Sequence, residues 1–284
     1  MAAAARRAAT SRHPWVDTAP NYLHGRAHTL LAPVLAGYPG LGLSTKVGFI
    51  PATDAGDAVR DGVLSLGEAA TGHSLSPDWI RWQLARSRAA LGRDRIEVVF
   101  VHNPERAGHR VSERLAAAFG VLEEAAAAGW IGGYGVATWS AFADGTFTVP
   151  GLLAAARAAG GGTHHLVAVQ LPVNLVLAGP IADALNGYGP IADAAGAGLE
   201  VYASAPLHGG TLPTLATTEL ADLIRPGTTI AGACLLAAAS CPGVSKVLLA
   251  ASTAAHWDDA HATLAGGPLA PAHLRMVLDV LAPH

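Results

Sequence analysis

Short apolar runs alternate along the chain with longer stretches in which apolar residues recur at helical spacing. Seven of the short runs, near residues 15, 43, 98, 134, 168, 201 and 248, have the composition of strands. The run over residues 95–101 ends in four consecutive apolar positions, which is typical of a strand covered on both faces. Because helical stretches separate the runs, the pattern predicts a parallel α/β fold.

The helix predicted over residues 76–91 has the clearest boundaries in the sequence. Ser76 offers a capping hydroxyl, Pro77 occupies the first turn, and Asp78 places an acid near the positive end of the helix. Gly92 is expected to end the helix. Its buried face is predicted to consist of Ile80, Leu84, Ser87 and Leu91.

Other helices are predicted with weaker signals. Three are expected over residues 1–12, 26–35 and 229–239, and one is expected to begin at a cap at Ser112 and to end at Gly129. Residues 139–159 are expected to be helical in part, and two final helices are expected to run to His284. The near-repeat Gly-Pro-Ile-Ala-Asp-Ala, at residues 179 and 189, predicts two helix starts with Pro in the first turn. Residues 48–75 are predicted to form a long loop, weakly helical at residues 58–64, that either folds over a site or makes a solvated excursion.

Length and composition limit the class of protein. The 284 residues suit one barrel-sized domain, and we expect residues 1–284 to form it. A net charge of −3 is too small to indicate binding to nucleic acid or to an anionic membrane. Without an apolar run of about 18 residues or the core of a signal peptide, we expect a cytoplasmic protein. Cys234 and Cys241 lack zinc-type pairing and are expected to be buried free thiols.

Four residues that can donate, accept or stabilise a proton lie at or near the ends of three successive strands. Asp17 ends the first strand and Tyr22 follows in a loop, Lys46 lies near the end of the second, and His102 ends the third. The carboxyl ends of parallel strands meet at one side of a sheet, so we expect one shared site. A phenol is a poor acid at neutral pH unless a cation lies beside it, and a lysine held by an aspartate supplies that cation. The pattern predicts a proton-donating site rather than a structural ion pair alone.

These residues belong to motifs that occur in a recognisable order. They are Asp-Thr-Ala-x-x-Tyr at residues 17–22, Ser-Thr-Lys at 44–46 and Val-His-Asn-Pro at 101–104, followed by matching pieces at 135–136, 169–174, 205–207 and 241–244. Together they resemble the aldo-keto reductase superfamily, and most closely its aldose or galactose dehydrogenase and channel-β-subunit-like branches. The resemblance implies a (β/α)8 barrel of the TIM type. It also implies NADP- or NAD-dependent chemistry on small aldehydes, ketones or sugar-like carbonyl compounds.

The resemblance further implies roles for individual residues. Tyr22 is expected to be the general acid–base, Lys46, held by Asp17, to make the phenol more acidic, and His102 to orient the substrate oxygen. Gln170 matches the family residue that hydrogen-bonds the nicotinamide carboxamide. The full set of expected cofactor contacts is Thr138, Gln170, Ser204, Ser252 and Thr253.

Several positions depart from the family pattern. Ser204 stands where many members have a side chain that stacks on the nicotinamide, and no Arg or Lys lies beside Ser252 for the 2′-phosphate of NADP. Other usual polar or glycine positions are filled by Ala137, Ala250, Ala255 and Ala260. The chain also begins with a helix where an eight-stranded barrel has a strand. Either the barrel lacks its first strand or the chain starts too late.

Two activities stay open at this point. The pattern favours a reductase, but a lyase, dehydratase, cyclase or isomerase could use the same four residues, because protonating a carbonyl oxygen also promotes enolisation and elimination. A non-catalytic binding role is the least favoured interpretation. His24, His208 and Trp139 are candidates for substrate contacts, whereas residues 164–165 are expected on the opposite rim of the barrel. No spacing typical of a metal site is present.

Overall fold

The computed structural model describes residues 1–282, which divide into two compact units, the first ending at Ala168 and the second beginning at Val169. The strands are β1 Trp15–Asp17, β2 Gly42–Val47, β3 Ile96–His102, β4 Ile131–Ala137, β5 Leu166–Pro172, β6 Glu200–Ser204 and β7 Lys246–Val247. They follow one another in the sheet in chain order. The pairs β1–β2, β2–β3, β3–β4 and β6–β7 are parallel. The seven strands and the α/β barrel class expected from the sequence are confirmed.

Helices separate the strands. In the first unit they are α1 Ala2–Ala9, α2 Ala27–Gly37, α3 Ala52–Arg60, α4 Leu66–Ala70, α5 Pro77–Leu91, α6 Val111–Ala127 and α7 Val149–Gly160. In the second unit they are α8 Gly179–Leu185, α9 Gly189–Gly196, α10 Leu212–Leu215, α11 Thr218–Ile224, α12 Ile230–Ala239, α13 Ala254–Ala265 and α14 Pro271–Leu281. Within residues 1–282 no helix combines the length and apolarity needed to cross a membrane.

Strands β2 and β3 of the first unit are covered on both faces. Five of the six residues of β2 and five of the seven residues of β3 are buried. This is why β3 carries four consecutive apolar residues at 98–101, whereas the buried positions 44–46 of β2 are polar and need partners inside the fold. Gly135 on β4 makes room for the neighbouring strand, because a Cβ there would lie 2.6 Å from the ring of Phe100. Small residues in β4 therefore allow large ones in β3.

Strand register places the proton-handling residues on one face of the sheet. Asp17 is the partner of Ser44, and Lys46 is the partner of Phe100. Side chains alternate between the two faces with a period of two residues. Ser44 and Lys46 therefore share a face with Asp17, and His102, two residues beyond Phe100, projects from that face as well.

The helix α5 forms as the sequence predicted. Ser76 accepts a hydrogen bond from the backbone of Trp79, and Gly92 ends the helix in the left-handed conformation with a φ of 64°. The predicted inward residues Ile80, Leu84, Ser87 and Leu91 are all buried. In contrast, the prediction that Ser112 caps the next helix is wrong. The N-cap of α6 is Arg110, and Ser112 lies inside the first turn.

Residues 48–75 are more ordered than the loop that was predicted. They contain α3 and α4, and Ser65 begins α4 with a capping box to Glu68. The two ends of the segment are joined by an antiparallel bridge between Phe49 and His73. Both helices are short, and short helices have weak periodicity, which explains why the sequence pattern missed them.

The second unit also differs from the predictions in detail. Both Gly-Pro repeats begin helices, α8 and α9, with the proline in the first turn as expected. The strand β7, expected near residue 248, consists of Lys246–Val247 alone, and α10 and α11 were not predicted. Cys234 and Cys241 are buried free thiols, as expected. Burial raises the pKa of Cys234 to about 11 and that of Cys241 to about 12. The predicted extension of the last helix to His284 lies outside the described residues.

Candidate active site

A buried ion pair between β1 and β2 forms the centre of the site. Lys46 Nζ lies 2.5 Å from Asp17 Oδ2 and 3.0 Å from the backbone oxygen of Thr18. The lysine side chain is 1% exposed and the aspartate 9%. Burial lowers the pKa of Lys46, but the Asp17 carboxylate and the phenol of Tyr22 outweigh it, so the net pKa is raised. Lys46 is therefore an ammonium ion at neutral pH.

The phenol of Tyr22 lies against this ammonium. Lys46 Nζ is 4.9 Å from the centroid of the Tyr22 ring, and a side-chain hydrogen bond with Tyr22 contributes to the raised pKa of Lys46. The loop after Tyr22 is unusual, since Leu23, His24 and Gly25 have φ values of 51°, 55° and 86°. The left-handed conformation costs about 1–2 kcal/mol for each non-glycine residue. The surrounding structure must hold this loop, and with it Tyr22.

His102 faces the phenol from β3. The two ring centroids are 6.1 Å apart and the planes meet at 83°. Burial, together with the positive charge of Lys46, holds the pKa of His102 well below its ordinary value of 6.5. The imidazole is therefore neutral at pH 7, and its Nδ1 has no hydrogen-bond partner among the described residues. A neutral imidazole can donate one N–H to a substrate oxygen without bringing a second charge into the site.

Sequence reasoning gave no role to Ser44 and only a packing role to Trp15, yet both lie next to the ion pair. Ser44 Oγ donates to Asp17 Oδ1 at 2.6 Å and accepts from Trp15 Nε1 at 3.1 Å. Ser44 has no exposed surface. The sequence feature that could have indicated Ser44 is its position two residues before Lys46, because residues two apart in a strand project from the same face.

The segment over residues 48–75 also contacts the site. His73 Nε2 lies 2.8 Å from the backbone oxygen of His102. The ring of Phe49 packs against the His102 ring, with centroids 4.7 Å apart and planes at 66°. Of the two alternatives that the sequence left open for this segment, contact with the site is therefore the one observed. Neither Phe49 nor His73 was singled out from the sequence.

Two of the expected cofactor residues are buried. Thr138 is 4% exposed and Gln170 is 5% exposed. Thr138 Oγ1 accepts a hydrogen bond from the backbone N–H of Ala141 at 3.0 Å, so its proton remains available for donation. Gln170 Oε1 has no partner among the described residues. A buried amide oxygen without a donor is a group that a ligand N–H would satisfy.

Like Gln170, the other three expected cofactor residues belong to the second unit. Ser204 ends β6, is half-buried, and accepts through its backbone oxygen from Val173 at 3.1 Å. Ser252 and Thr253 are exposed at the start of α13. Thr253 is the N-cap and accepts from the backbone of His256 at 3.2 Å, while Ser252 Oγ lies 3.0 Å from His256 Nδ1.

The remaining histidines have varied surroundings. His165 is bound through its Nδ1 to Glu123 Oε2 at 2.6 Å, and Tyr134 donates to the other oxygen of Glu123 at 2.7 Å. This network ties α6 to β4 and to the start of β5, so His165 has a structural role. His208 is half-buried and its Nδ1 has no partner among residues 1–282. Within the same residues no group of three His, Cys, Asp or Glu side chains could hold a metal ion.

Comparisons with known proteins identify the family of the chain. The model of the Aldo/keto reductase family matches residues 1–223, and the chain belongs to that family of oxidoreductases. No protein among the curated sequences matches the chain.

Solved structures share the fold at low sequence identity. A thermostable aldo-keto reductase in complex with the inhibitor epalrestat is 17% identical, with a TM-score of 0.70, covering 99% of this chain and 86% of that one. The holo form of an aldo-keto reductase from Bacillus halodurans is 16% identical, with a TM-score of 0.64 and coverages of 95% and 82%. The aldose reductase of Schistosoma japonicum is 12% identical, with a TM-score of 0.66 and coverages of 98% and 83%.

Proposed function

We propose that the protein reduces a small carbonyl compound, or oxidises the corresponding alcohol, with Tyr22 as the general acid–base and a nicotinamide as cofactor. The observation that carries this proposal is the buried ammonium of Lys46, held by Asp17 and lying against the ring of Tyr22. An ion pair with a purely structural role requires neither a phenol beside the ammonium nor a neutral imidazole facing the phenol.

Reduction of a carbonyl group requires a proton at its oxygen. Tyr22 donates this proton through Oη, and the positive charge of Lys46 stabilises the phenolate that remains. Asp17 holds Lys46 in place by its contact with Nζ, and His102 donates an N–H to the same substrate oxygen and orients it. In the reverse direction the Tyr22 phenolate takes the proton from the alcohol.

The proposed cofactor fits the residues in part. When bound, NADPH or NADH would supply the two electrons of the reduction as a hydride. Gln170 suits the carboxamide, because its buried Oε1 lacks a donor among the described residues, and Thr138 keeps a proton to donate. Ser252 and Thr253 lie at a helix N-terminus, which suits a phosphate, and Ser204 offers a hydroxyl. Because none of these side chains is charged, we propose no preference for NADP over NAD.

Cofactor binding and turnover test the redox part of the proposal. The purified chain is titrated with NADPH and with NADH while tryptophan fluorescence is followed, and is then assayed with 4-nitrobenzaldehyde and with glyceraldehyde. We expect saturable binding and loss of the reduced nicotinamide, and we expect Gln170→Met to weaken binding by about ten-fold, the worth of one hydrogen bond. Absence of binding at millimolar concentration of both nicotinamides contradicts the proposal, most clearly if a carbonyl compound is converted without cofactor.

A further inference from the structure

The hydrogen bonds around Ser44 have a fixed direction. The indole N–H of Trp15 can only donate and an ionised carboxylate can only accept. Ser44 Oγ lies 3.1 Å from Trp15 Nε1 and 2.6 Å from Asp17 Oδ1. The hydroxyl must therefore accept from Trp15 and direct its own proton to Asp17.

This arrangement fixes the orientation of the Asp17 carboxylate. Ser44 holds Oδ1 and Lys46 holds Oδ2, at 2.6 and 2.5 Å. Rotation of the carboxylate about its Cβ–Cγ bond would break both contacts at once. The contact with Trp15 keeps the Ser44 proton directed at Asp17, because a proton turned towards the indole would meet an N–H that can only donate.

We propose that Ser44 and Trp15 are positioning residues, which hold Asp17 and through it keep the ammonium of Lys46 against Tyr22. The inference rests on the proposed role of Tyr22. It assigns to Ser44 and to the partly buried Trp15 a function in the reaction, in addition to packing. A role in packing alone predicts a change in stability and no change in the rate or its pH dependence.

Kinetics of three variants separate these roles. Ser44→Ala removes the donor, and Trp15→Phe keeps an aromatic side chain but removes the N–H together with the five-membered part of the indole. Ser240→Ala is the matched control, because Ser240 is a buried serine of the second unit whose hydroxyl likewise donates once and accepts once, in its case with backbone groups. Thermal unfolding of each variant shows whether it is folded at the assay temperature.

We expect Ser44→Ala to lower kcat about ten-fold, the worth of one hydrogen bond to a charged group, while KM stays within two-fold. Trp15→Phe should lower kcat by a smaller factor, and Ser240→Ala should leave it within two-fold. In Ser44→Ala the pH at which alcohol oxidation reaches half its maximum should move upward, because the cation is held less firmly beside the phenol. A kcat and a pH profile unchanged in folded Ser44→Ala overturn the proposal.

The experiment also distinguishes failure of the positioning role from failure of the proposed function. If the wild-type chain converts neither aldehyde with either nicotinamide, the proposed function fails, and crystal structures of the wild type and Ser44→Ala then decide the positioning role. The expected result is a rotated Asp17 carboxylate and a separation between Asp17 Oδ2 and Lys46 Nζ longer than hydrogen-bonding distance. An unchanged separation overturns the inference.

Discussion

His28 on α2 is a buried histidine that the site keeps uncharged. Its side chain is 4% exposed, and its Nε2 lies 2.9 Å from Oγ1 of Thr45, the residue before Lys46. Burial and the positive charge of Lys46 lower the pKa of His28 from 6.5 to about 4. The folded state therefore binds a proton on His28 less readily than the unfolded chain does.

The stability of the protein should depend on this residue in mildly acidic solution. A histidine with a depressed pKa contributes its full stability above pH 6.5, and loses it as the pH falls through the folded value of about 4. The shift corresponds to roughly 3 kcal/mol in the free energy of unfolding. Denaturant unfolding at pH 7 and pH 4 should show a weaker pH dependence in His28→Gln than in the wild type. The exposed control His261→Gln should behave as the wild type, and equal pH dependence in all three proteins contradicts the account.

At the scale of single residues, the sequence indicated the side chains that could take part in proton transfer. It did not indicate the residues packed around them. Tyr22, Lys46 and His102 were singled out because each lies at or just after the end of a strand and carries a group able to donate a proton or stabilise its loss. Ser44 and His28 were not found, because a serine in a strand and a histidine in a helix are unremarkable until their partners are known. Only the pairing of Asp17 with Ser44 in the sheet shows what the serine does.

At the scale of elements, α5 fixes the chain where it leaves the lysine strand. Gln83 has no exposed surface, accepts from the backbone N–H of Gly48 at 2.8 Å and donates to the backbone oxygen of Phe49 at 2.6 Å. Trp79 Nε1 donates to the oxygen of Gly48 at 3.2 Å. Gly48 has a φ of 125°, and a Cβ there would lie 3.0 Å from His73 Nε2. Side chains of this one helix thus hydrogen-bond the backbone groups of Gly48 and Phe49, where the chain connects β2 to the segment beside His102.

Replacement of Gln83 should therefore destabilise the fold strongly. Gln83→Leu keeps the volume but leaves one buried N–H and one buried oxygen without partners, each costing about 1–3 kcal/mol. We expect the free energy of unfolding to fall by about 2–4 kcal/mol, measured by urea denaturation. Arg81→Gln, on the exposed face of the same helix, breaks only surface ion pairs and should change it by less than about 1 kcal/mol. A Gln83→Leu variant as stable as this control contradicts the assigned role.

Elements were predicted well where several signals agreed. In α5 a capping serine, a proline in the first turn, apolar spacing and a terminal glycine all indicated the same boundaries. The prediction at Ser112 failed because a serine near a helix start is a cap only if the backbone before it is non-helical, and here Val111 is already helical. The short helices α3, α4, α10 and α11 carry too few apolar residues to show a period.

At the scale of the whole molecule, the alternation of apolar runs and helical stretches was sufficient to predict seven strands and the α/β class. The order of the motifs was sufficient for the family, which the match over residues 1–223 confirms. Residue identity alone did not show which of the expected cofactor residues already hydrogen-bond within the protein. Thr253, for example, has its oxygen in use as the cap of α13, and this depends on helix geometry rather than on residue type.

The central claim is that Tyr22 supplies the proton to the substrate oxygen. The most direct test compares kcat for nicotinamide-dependent reduction of 4-nitrobenzaldehyde in Tyr22→Phe and in Tyr188→Phe, a control at a tyrosine that is 55% exposed. We predict that Tyr22→Phe lowers kcat by about 10²–10⁴-fold, the usual contribution of a general acid, with nicotinamide affinity within two-fold of wild type. Tyr188→Phe should stay within two-fold in both quantities. A Tyr22→Phe variant that keeps a kcat close to that of the wild type contradicts the claim.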